Sequence, residues 1–395
     1  MGAGPAGSTT ALLLARAGAS VLLLDRARFP RDKPCSEYLS PATTDVLERL
    51  GGGILAAVER TTHARLYGMK VVAPGGAAMV GRFRGASRPY SFAVPRTSFD
   101  AILVAAAARA GAHVSEATTV ENLVWDGGTV AGVVARSCNG QRVTCNARVV
   151  VGADGLRSVV ARRLGLVRSS SPRRFAFTAH VADVAGVDEL GELHVSDRGY
   201  VGLGPVGGGI TTVALVLPLC VVRQGSRDYR SEFLAELNRF PGLAGRFDGR
   251  RLVREVLTTG PFAQWARVAG LPGALLVGDA ADFFDPFTGQ GIHTALRGAE
   301  LVAESLIPGL TDPGRKPGVR GVSRVYASAR RRAFAGKWLL ERLIGLGVGS
   351  PALTDRVVDR LARRPDLADL LVSATGNVLP ARRVFTPSVL ARLLW

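Results

Sequence analysis

The strongest constraint on this chain lies in its first 25 residues. Gly2, Gly4 and Gly7 stand at the G-x-G-x-x-G spacing within Gly-Ala-Gly-Pro-Ala-Gly. Glycines so placed let a chain turn tightly, bring backbone N–H groups against a diphosphate and seat a helix closely on a strand. The apolar run behind them predicts a helix over residues 5–17, ended by Gly18, and a buried strand over 20–24. Asp25 closes that strand 18 residues past Gly7, where a carboxylate accepts the hydroxyls of an adenosine ribose. Spacing alone reads equally well as a plain tight turn; helix, strand and acid together make it a dinucleotide site. Such a loop normally follows a central parallel strand, yet Met1 directly precedes Gly2. The expectation is that the chain as written begins too late, with a short Val/Ile-rich strand encoded upstream. With Met1 as the natural start, the sheet would lack its middle strand.

At 395 residues, 47% hydrophobic and 21% charged, the chain has enough apolar material for two lobes of a soluble globular protein. Its net charge of +18 comes from 50 basic and 32 acidic residues. The charge is spread along the whole length without interleaved aromatics, which argues against a nucleic-acid groove. An anionic membrane surface or an acidic carrier protein remains a possible partner. Cys35, Cys138, Cys145 and Cys220 show neither metal-ligand spacing nor a disulfide framework, so no metal and a reducing cytoplasm are expected. The apolar stretch over 11–24 is broken by Arg16 and Gly18, short of the ~20 residues that span a bilayer.

Further along, a Pro-punctuated loop over 28–41 carries Lys33, Cys35 and Ser36 before a helix over 42–50. It is either a solvated surface loop or, since it leaves the same strand end as the glycines, a wall along the cofactor. Segments 64–72 and 77–83 alternate as strands. Arg96 precedes an apolar helix running to Arg109, either as a solvated charge or as a phosphate and ribose contact. A hairpin begins at Val120 and turns at Asp126-Gly127-Gly128. A buried strand then ends at Gly152, and Asp154-Gly155 turns the chain toward a helix near Arg157. Asp154 either caps that helix or reaches the ribityl chain of a flavin. Segments 176–182, 191–195, 201–203 and 210–218 read as strands that join 62–92 in one antiparallel sheet, the second lobe, with a helix over 230–238.

A third informative stretch has a buried strand over 274–277 delivering Gly278 and Asp279. A loop with Pro286, Gly289 and Gly291 then feeds a long helix starting near Gly289. A helix N-terminus there, worth ~0.3–1 kcal/mol toward a negative charge, suits an anionic reduced flavin; the alternative is a Gly-rich turn with Asp279 as a cap. Beyond 317 the chain is amphipathic and helical, either a packed cap or a surface that touches membrane or carrier protein.

These three stretches, in this order, resemble the FAD-dependent oxidoreductases of the p-hydroxybenzoate hydroxylase superfamily, within it the geranylgeranyl reductase and halogenase-like branch. The resemblance runs from Gly2 to about Ser305. It implies an α/β fold: a discontinuous FAD-binding Rossmann-like domain with a central parallel sheet (1–61, 93–170, 256–312). An antiparallel substrate domain (62–92, 171–255) and a C-terminal helical region (318–395) complete it. By the same resemblance Gly2, Gly4, Pro5, Ala6 and Gly7 hold the pyrophosphate, Asp25 and Arg26 the adenosine ribose, and Arg96 the ribose and pyrophosphate region. Lys33 and Val120 are further cofactor contacts, Asp154 and Gly155 match the Asp-Gly motif, and Gly278 and Asp279 match the Gly-Asp motif on the ribityl chain. Pro286, Gly289 and Gly291 line the flavin ring. Lys33-Pro-Cys-Ser-Glu37 looks like the reductase branch's Lys-x-Cys-Gly segment, with Ser36 in place of Gly, which puts Cys35 near the ring.

Halogenases carry Trp-x-Trp-x-Ile-Pro and prenyl reductases Tyr-x-Trp-x-Phe-Pro, where this chain has Tyr200-Val-Gly-Leu-Gly-Pro205. Gly202 and Gly204 should widen the pocket, and halogenation is not expected. Hydroxylation and alkene reduction draw on the same reduced cofactor. The leading expectation is a monooxygenase that uses NAD(P)H and O2 on an aromatic or polyketide-like small molecule of secondary metabolism. The alternatives are a reductase of prenyl C=C bonds, supported by Cys35 and Tyr200 as its catalytic residues, and a non-catalytic flavin-binding protein. No second nucleotide motif is present, so the electron donor is either transiently bound NAD(P)H or a separate reductase.

Overall fold

The computed structural model describes every residue except 172, 223–227, 241, 311–318 and 395. The boundary expected between 312 and 318 therefore falls outside the described residues. The glycine loop feeds the helix Pro5–Arg16, which Pro5 opens at a position where its missing N–H costs nothing. The strand Leu22–Leu24 follows and pairs in parallel with His113–Ser115. A second parallel pair joins Val150–Gly152 to Ala274–Leu276, with Gly270–Leu271 added antiparallel.

Between these two sets of strands lies the backbone of the first two residues. Gly2 N–H donates to the Leu24 carbonyl at 2.7 Å, Ala153 N–H donates to the Met1 carbonyl at 2.8 Å, and Met1 N donates to the Val151 carbonyl at 2.9 Å. The chain thus enters its glycine loop from the slot between the two sets, where the expected central strand of a parallel sheet would end. The hairpin Thr119–Asp126 and Thr129–Arg136 extends with Arg142–Asn146 into an antiparallel meander beside this layer.

The second layer is a seven-stranded sheet in the order 257–259, 174–182, 210–218, 199–207, 191–196, 68–72, 78–82. It brings the 62–92 and 171–255 segments together as expected, but it is not wholly antiparallel: Gly68–Val72 runs parallel to Gly191–Ser196. Nor is 64–72 one strand. Ala64–Leu66 pairs with Ser91–Ala93 in a separate small sheet that also holds Tyr38–Leu39. The switch falls at Tyr67, whose N–H donates to the Glu189 carbonyl at 2.8 Å while its own carbonyl accepts from Phe83 N–H at 3.3 Å. Alternation of polar and apolar residues is blind to such a change of partner, because both halves keep the period of two.

The C-terminal helices Val319–Val348, Pro351–Ala362, Pro365–Thr375 and Pro387–Leu394 close over the edge of the large sheet. Val358, Leu361, Leu367, Ala368 and Val372 share one buried cluster with Val71 and Met79 of its last two strands and with Phe83 just past their end. Arg82 N–H donates to Asp369 Oδ1 at 2.7 Å and Arg84 N–H to Ser373 Oγ at 2.8 Å, covering backbone donors that an exposed edge strand leaves open. The cap reaches the first layer too, where Tyr326 donates to the Leu276 carbonyl at 2.8 Å and Arg330 pairs with Asp282 at 2.5 Å.

Candidate active site

The ends of the parallel strands, the large sheet and the C-terminal helices together line one cavity of about 1020 Å³. At one end lies the glycine loop. A Cβ on Gly2, whose φ is +86°, would sit 2.4 Å from the Ala153 carbonyl oxygen, and one on Gly7 would sit 1.8 Å from that of Gly2. These two glycines are therefore demanded by packing of the loop on itself and on the 150–155 strand end. Gly4 differs: a Cβ there would meet only Arg31 Nη2 at 3.7 Å, so its bare backbone faces the cavity at the start of the helix.

Of the residues expected to hold a cofactor, all but Gly7 line this cavity: Gly2, Gly4, Pro5, Ala6, Asp25, Arg26, Lys33, Arg96, Val120, Asp154, Gly155, Gly278, Asp279, Pro286, Gly289 and Gly291. The cavity also takes in Cys35 and Tyr200. Gly7 lies behind the loop, because the close approach it permits is to Gly2.

The carboxylates are committed in different ways. Asp25 accepts from Ala3 N–H at 2.6 Å and Ala27 N–H at 2.8 Å, so it holds the glycine loop in place as well as facing the cavity. The two oxygens of Asp154 are used differently. Its Oδ2 caps the helix Val159–Arg163 through Val159 N–H at 2.6 Å, while Oδ1 is buried with no partner. A buried lone oxygen at a cavity wall is a vacancy for a hydroxyl donor. Asp279 has its pKa pushed up by burial, against the pull of Lys33 and Arg96. Lys33 is pushed down by burial and by Arg96, and its Nζ lies 3.3 Å from where a Gly155 Cβ would be.

Arg96 is no solvated charge. It grips Asp100 through two hydrogen bonds of 2.8 and 2.7 Å, both groups buried, and Arg31 reaches the same carboxylate at 2.8 Å. Burial opposes its charge, but Asp100 and the adjoining Cys35 thiol hold it firmly protonated. Its guanidinium is thus turned to Asp100 and Cys35.

Tyr200 lies on the face of its strand that also carries Gly202 and Gly204, opposite Val216, Ala214 and Thr212 of the neighbouring strand. Its hydroxyl donates to Asp285 Oδ1 at 2.6 Å, and burial followed by Asp285 pushes the phenol well above its ordinary pKa. Arg174 holds the other oxygen of Asp285 at 2.5 Å. The phenol proton is therefore tied to the loop that carries Pro286 and Gly289. Gly202 and Gly204 do leave room, since Cβ atoms there would meet nothing nearer than Leu193 Cδ2 at 3.6 Å and Leu66 Cδ1 at 4.0 Å.

Sequence reasoning passed over Glu37, which is fully buried although its φ of 60° is one that side-chain-bearing residues rarely adopt. The outlier is held from every side. Glu37 Oε1 accepts from Arg96 N–H at 3.0 Å, and Oε2 contacts His180 Nε2 at 2.6 Å and accepts from Thr212 Oγ1 at 2.5 Å. Its own N–H donates to Cys35 Sγ at 3.3 Å. This residue straps the Cys35 loop to the large sheet, and the only trace of it in the sequence is an acid beside the motif. Also missed was the Lys337–Glu341 pair of the helix Val319–Val348, 2.7 Å apart on the cavity wall, with Thr288 donating to Glu341 at 3.2 Å.

His293, two residues into the helix Gly291–Leu310, has an unpartnered Nδ1. Burial first, then Lys337, Arg49 and Arg297, pushes its pKa down to about 3. The unfolded chain protonates this imidazole near its ordinary value of 6.5, whereas the folded protein does not. Its contribution to stability is therefore complete above that value and is lost as pH falls from there toward 3. Replacing His293 by Gln should flatten the acid limb of the unfolding free energy against pH, measured by denaturant titration, by about 2–4 kcal/mol; an unchanged limb would remove His293 from the account.

Residues 1–319 match the family model described as FAD binding domain. A menaquinone reductase of Mycolicibacterium smegmatis is 30% identical over 393 residues, 96% of this chain and 91% of that protein. The digeranylgeranylglycerophospholipid reductase 2 of Methanothermobacter thermautotrophicus is 32% identical over 376 residues, 92% of this chain and 90% of its own length. Conditioned medium factor receptor 1 of Dictyostelium discoideum is 31% identical over 340 residues, 78% of this chain, which spans 62% of that protein. Among solved structures, a flavoprotein/dehydrogenase from Cytophaga hutchinsonii superposes with a TM-score of 0.81 at 22% identity, covering 99% of this chain and 94% of that one. A geranylgeranyl bacteriochlorophyll reductase-like protein from Thermoplasma acidophilum gives 0.77 at 22%, covering 99% and 96%. With the glycine loop, the Asp154-Gly155 and Gly278-Asp279 elements and one cavity joining them, the chain belongs to the FAD binding domain family and is an FAD-dependent oxidoreductase.

Proposed function

We propose that this protein reduces C=C bonds in the prenyl chain of an isoprenoid lipid. The observation that carries the reading is the composition of the cavity away from the glycine loop. There its walls are Met69, Val71, Leu193, Leu340, Ile344, Val357, Leu361 and Leu371, a lining that offers an extended hydrocarbon apolar contact and few polar fixed points. The cavity's 1020 Å³ stands at the top of the roughly 300–1,000 Å³ usual for small-molecule sites, in keeping with room for a dinucleotide and a long ligand together. The similarity to menaquinone and digeranylgeranylglycerophospholipid reductases over more than nine-tenths of the chain supports it.

The residues fit FAD by their chemistry: an open backbone at Gly4, an unpartnered Asp154 Oδ1, the desolvated Asp279, and Lys33 with Arg31 as cations for phosphate. When bound, FAD supplies the hydride, with NAD(P)H as the proposed electron donor. The chain's own part is to hold the alkene in a dry cavity and to deliver a proton to the second carbon. Cys35 is the donor we assign. It lines the cavity, its Sγ is fixed by Glu37 N–H, and the Arg96 guanidinium lies beside it. Tyr200, its proton tied to Asp285, positions the flavin-side loop instead.

Reduced protein mixed anaerobically with a prenyl lipid should yield product heavier by two hydrogens per saturated bond. Consumption of O2 stimulated by an aromatic substrate, with no saturation, would restore the monooxygenase. Cys35→Ala should keep the yellow colour and slow saturation on the order of 100-fold; unchanged turnover would return Cys35 to an ordinary loop. Asp279→Ala should cost about 3 kcal/mol of cofactor binding, on the order of 100-fold in Kd, leaving the purified protein colourless. Full flavin content in that variant would remove Asp279 from the site.

A further inference from the structure

The apolar end of the cavity opens among three C-terminal helices, and each places at the rim a leucine that is strongly exposed. These are Leu343 at 47%, Leu353 at 41% and Leu390 at 38%. Leu339 and Leu346, 49% and 65% exposed, continue the stripe on the helix Val319–Val348 with the i, i+4, i+7 spacing of one helical face. Five of the six strongly exposed leucines among the described residues are thus gathered at one opening. Scattered exposed leucines need no explanation, but a contiguous set does.

The same region carries the charge. Residues 319–395 hold 14 basic and five acidic side chains, a net +9 that is half of the whole chain's +18. Arg331, Arg332 and Arg342 are exposed on the leucine-bearing helix, and Arg392 stands two residues past Leu390. No helix among the described residues is long and apolar enough to cross a membrane.

We propose that this face docks on the surface of an anionic lipid bilayer, its leucines entering the acyl boundary and its arginines meeting lipid phosphates. The cavity mouth would then open into the hydrocarbon itself, so that an apolar chain enters without passing through water. The role given to docking rests on the proposed lipid substrate; the docking itself is measured without turnover. Two features favour a bilayer over an acidic protein. The exposed leucines are continuous with the cavity lining through Leu343, Leu353 and Leu390, and the cationic excess is spread over several helices, as interfacial binding through apolar side chains and anionic headgroups requires.

The test is flotation of the full, FAD-loaded chain with vesicles of phosphatidylcholine alone or with added phosphatidylglycerol. Phosphatidylglycerol should raise the bound fraction about tenfold or more, an effect reversed by high salt. Leu339 and Leu346 do not line the cavity. The double variant Leu339→Glu/Leu346→Glu should lower binding about tenfold while retaining FAD and saturating a detergent-dispersed prenyl lipid at the original rate. Arg331→Glu/Arg332→Glu should weaken binding to phosphatidylglycerol vesicles and spare the flavin content.

Three results would overturn the proposal: no flotation with either vesicle, flotation untouched by the leucine variant, or retention by an immobilised acidic acyl-carrier protein in place of vesicles. Absence of flotation by the original chain, with its normal saturation in detergent, would end the docking surface and leave the reductase standing. Flotation without saturation would do the reverse.

Discussion

Gly7→Val is expected to yield a colourless protein that melts well below the original. A Cβ at position 7 would lie 1.8 Å from the Gly2 carbonyl oxygen and 3.2 Å from Ala153 Cβ. Neither neighbour can yield. The Gly2 N–H is hydrogen-bonded to Leu24 and the Met1 carbonyl to Ala153 N–H, so moving the loop breaks contacts to both sets of parallel strands at once. The cost should be about 3–5 kcal/mol, the range of a severe overpacking of backbone. It should also pull Gly4 and the helix N-terminus away from the phosphate position they present. Flavin content by absorbance and Tm by calorimetry check both halves. A yellow protein with an unchanged Tm would mean that the loop packs otherwise.

Gly202→Trp should act on the substrate and leave the cofactor alone. Position 202 faces the cavity between Tyr200 and Gly204, on a strand whose partner opposite is Ala214. A small side chain fits there, since Leu193 Cδ2 lies at an ordinary 3.6 Å from the Cβ position. Gly202→Ala should therefore be close to silent. An indole, the side chain prenyl reductases carry at this place in their Tyr-x-Trp-x-Phe-Pro element, would narrow the pocket that Gly202 and Gly204 leave wide here, displacing the part of a long ligand that only the wider pocket admits. Turnover of a prenyl lipid should fall on the order of 100-fold, as when a ligand is held about 1 Å out of place, with flavin content unchanged. Saturation at the original rate would place the substrate elsewhere. A gain on a short prenyl alcohol alongside a loss on the long chain would instead map the alkene's path across the strand Gly199–Gly207.

Much of the cofactor end could be read from residues close together in sequence. A glycine loop, its helix and the acid after the next strand form one local unit, and the requirement for a small side chain at Gly7 follows from its approach to Gly2 within it, whereas Gly2 also answers to the distant Ala153. Asp154 and Asp279 stand at the ends of buried strands, a position that apolar runs followed by Asp or Gly reveal without knowledge of what those strands pair with. For Asp154, posed as cap or ligand, the structure shows one oxygen capping the helix and the other buried without a partner.

What depended on distant partners stayed hidden. From the chain alone Arg96 stayed open between a charge in water and a phosphate and ribose contact, because nothing local shows Arg31 closing on the Asp100 carboxylate it grips, and the strain at Glu37 is legible only once His180 and Thr212, 143 and 175 residues away, close on it. The parallel pairing of Gly68–Val72 with Gly191–Ser196 and the change of sheet at Tyr67 involve no departure from a strand's alternation.

The sequence by itself determined the family, the glycine loop and the three segments that meet at the cofactor end, because each depends on backbone geometry that a handful of adjacent residues enforce. The tertiary structure alone decided that the C-terminal helices close the cavity and line its apolar half, and that their exposed leucines surround its mouth. An amphipathic helix records only that one face seeks apolar company, and several surfaces of a folded chain satisfy that demand equally. Which surface it takes is chosen by the fit of Ala368 and Val372 over Gly81, where a Cβ would lie 2.5 Å from the Ala368 carbonyl oxygen and from Val372 Cγ2, a complementarity with no expression in the order of residues.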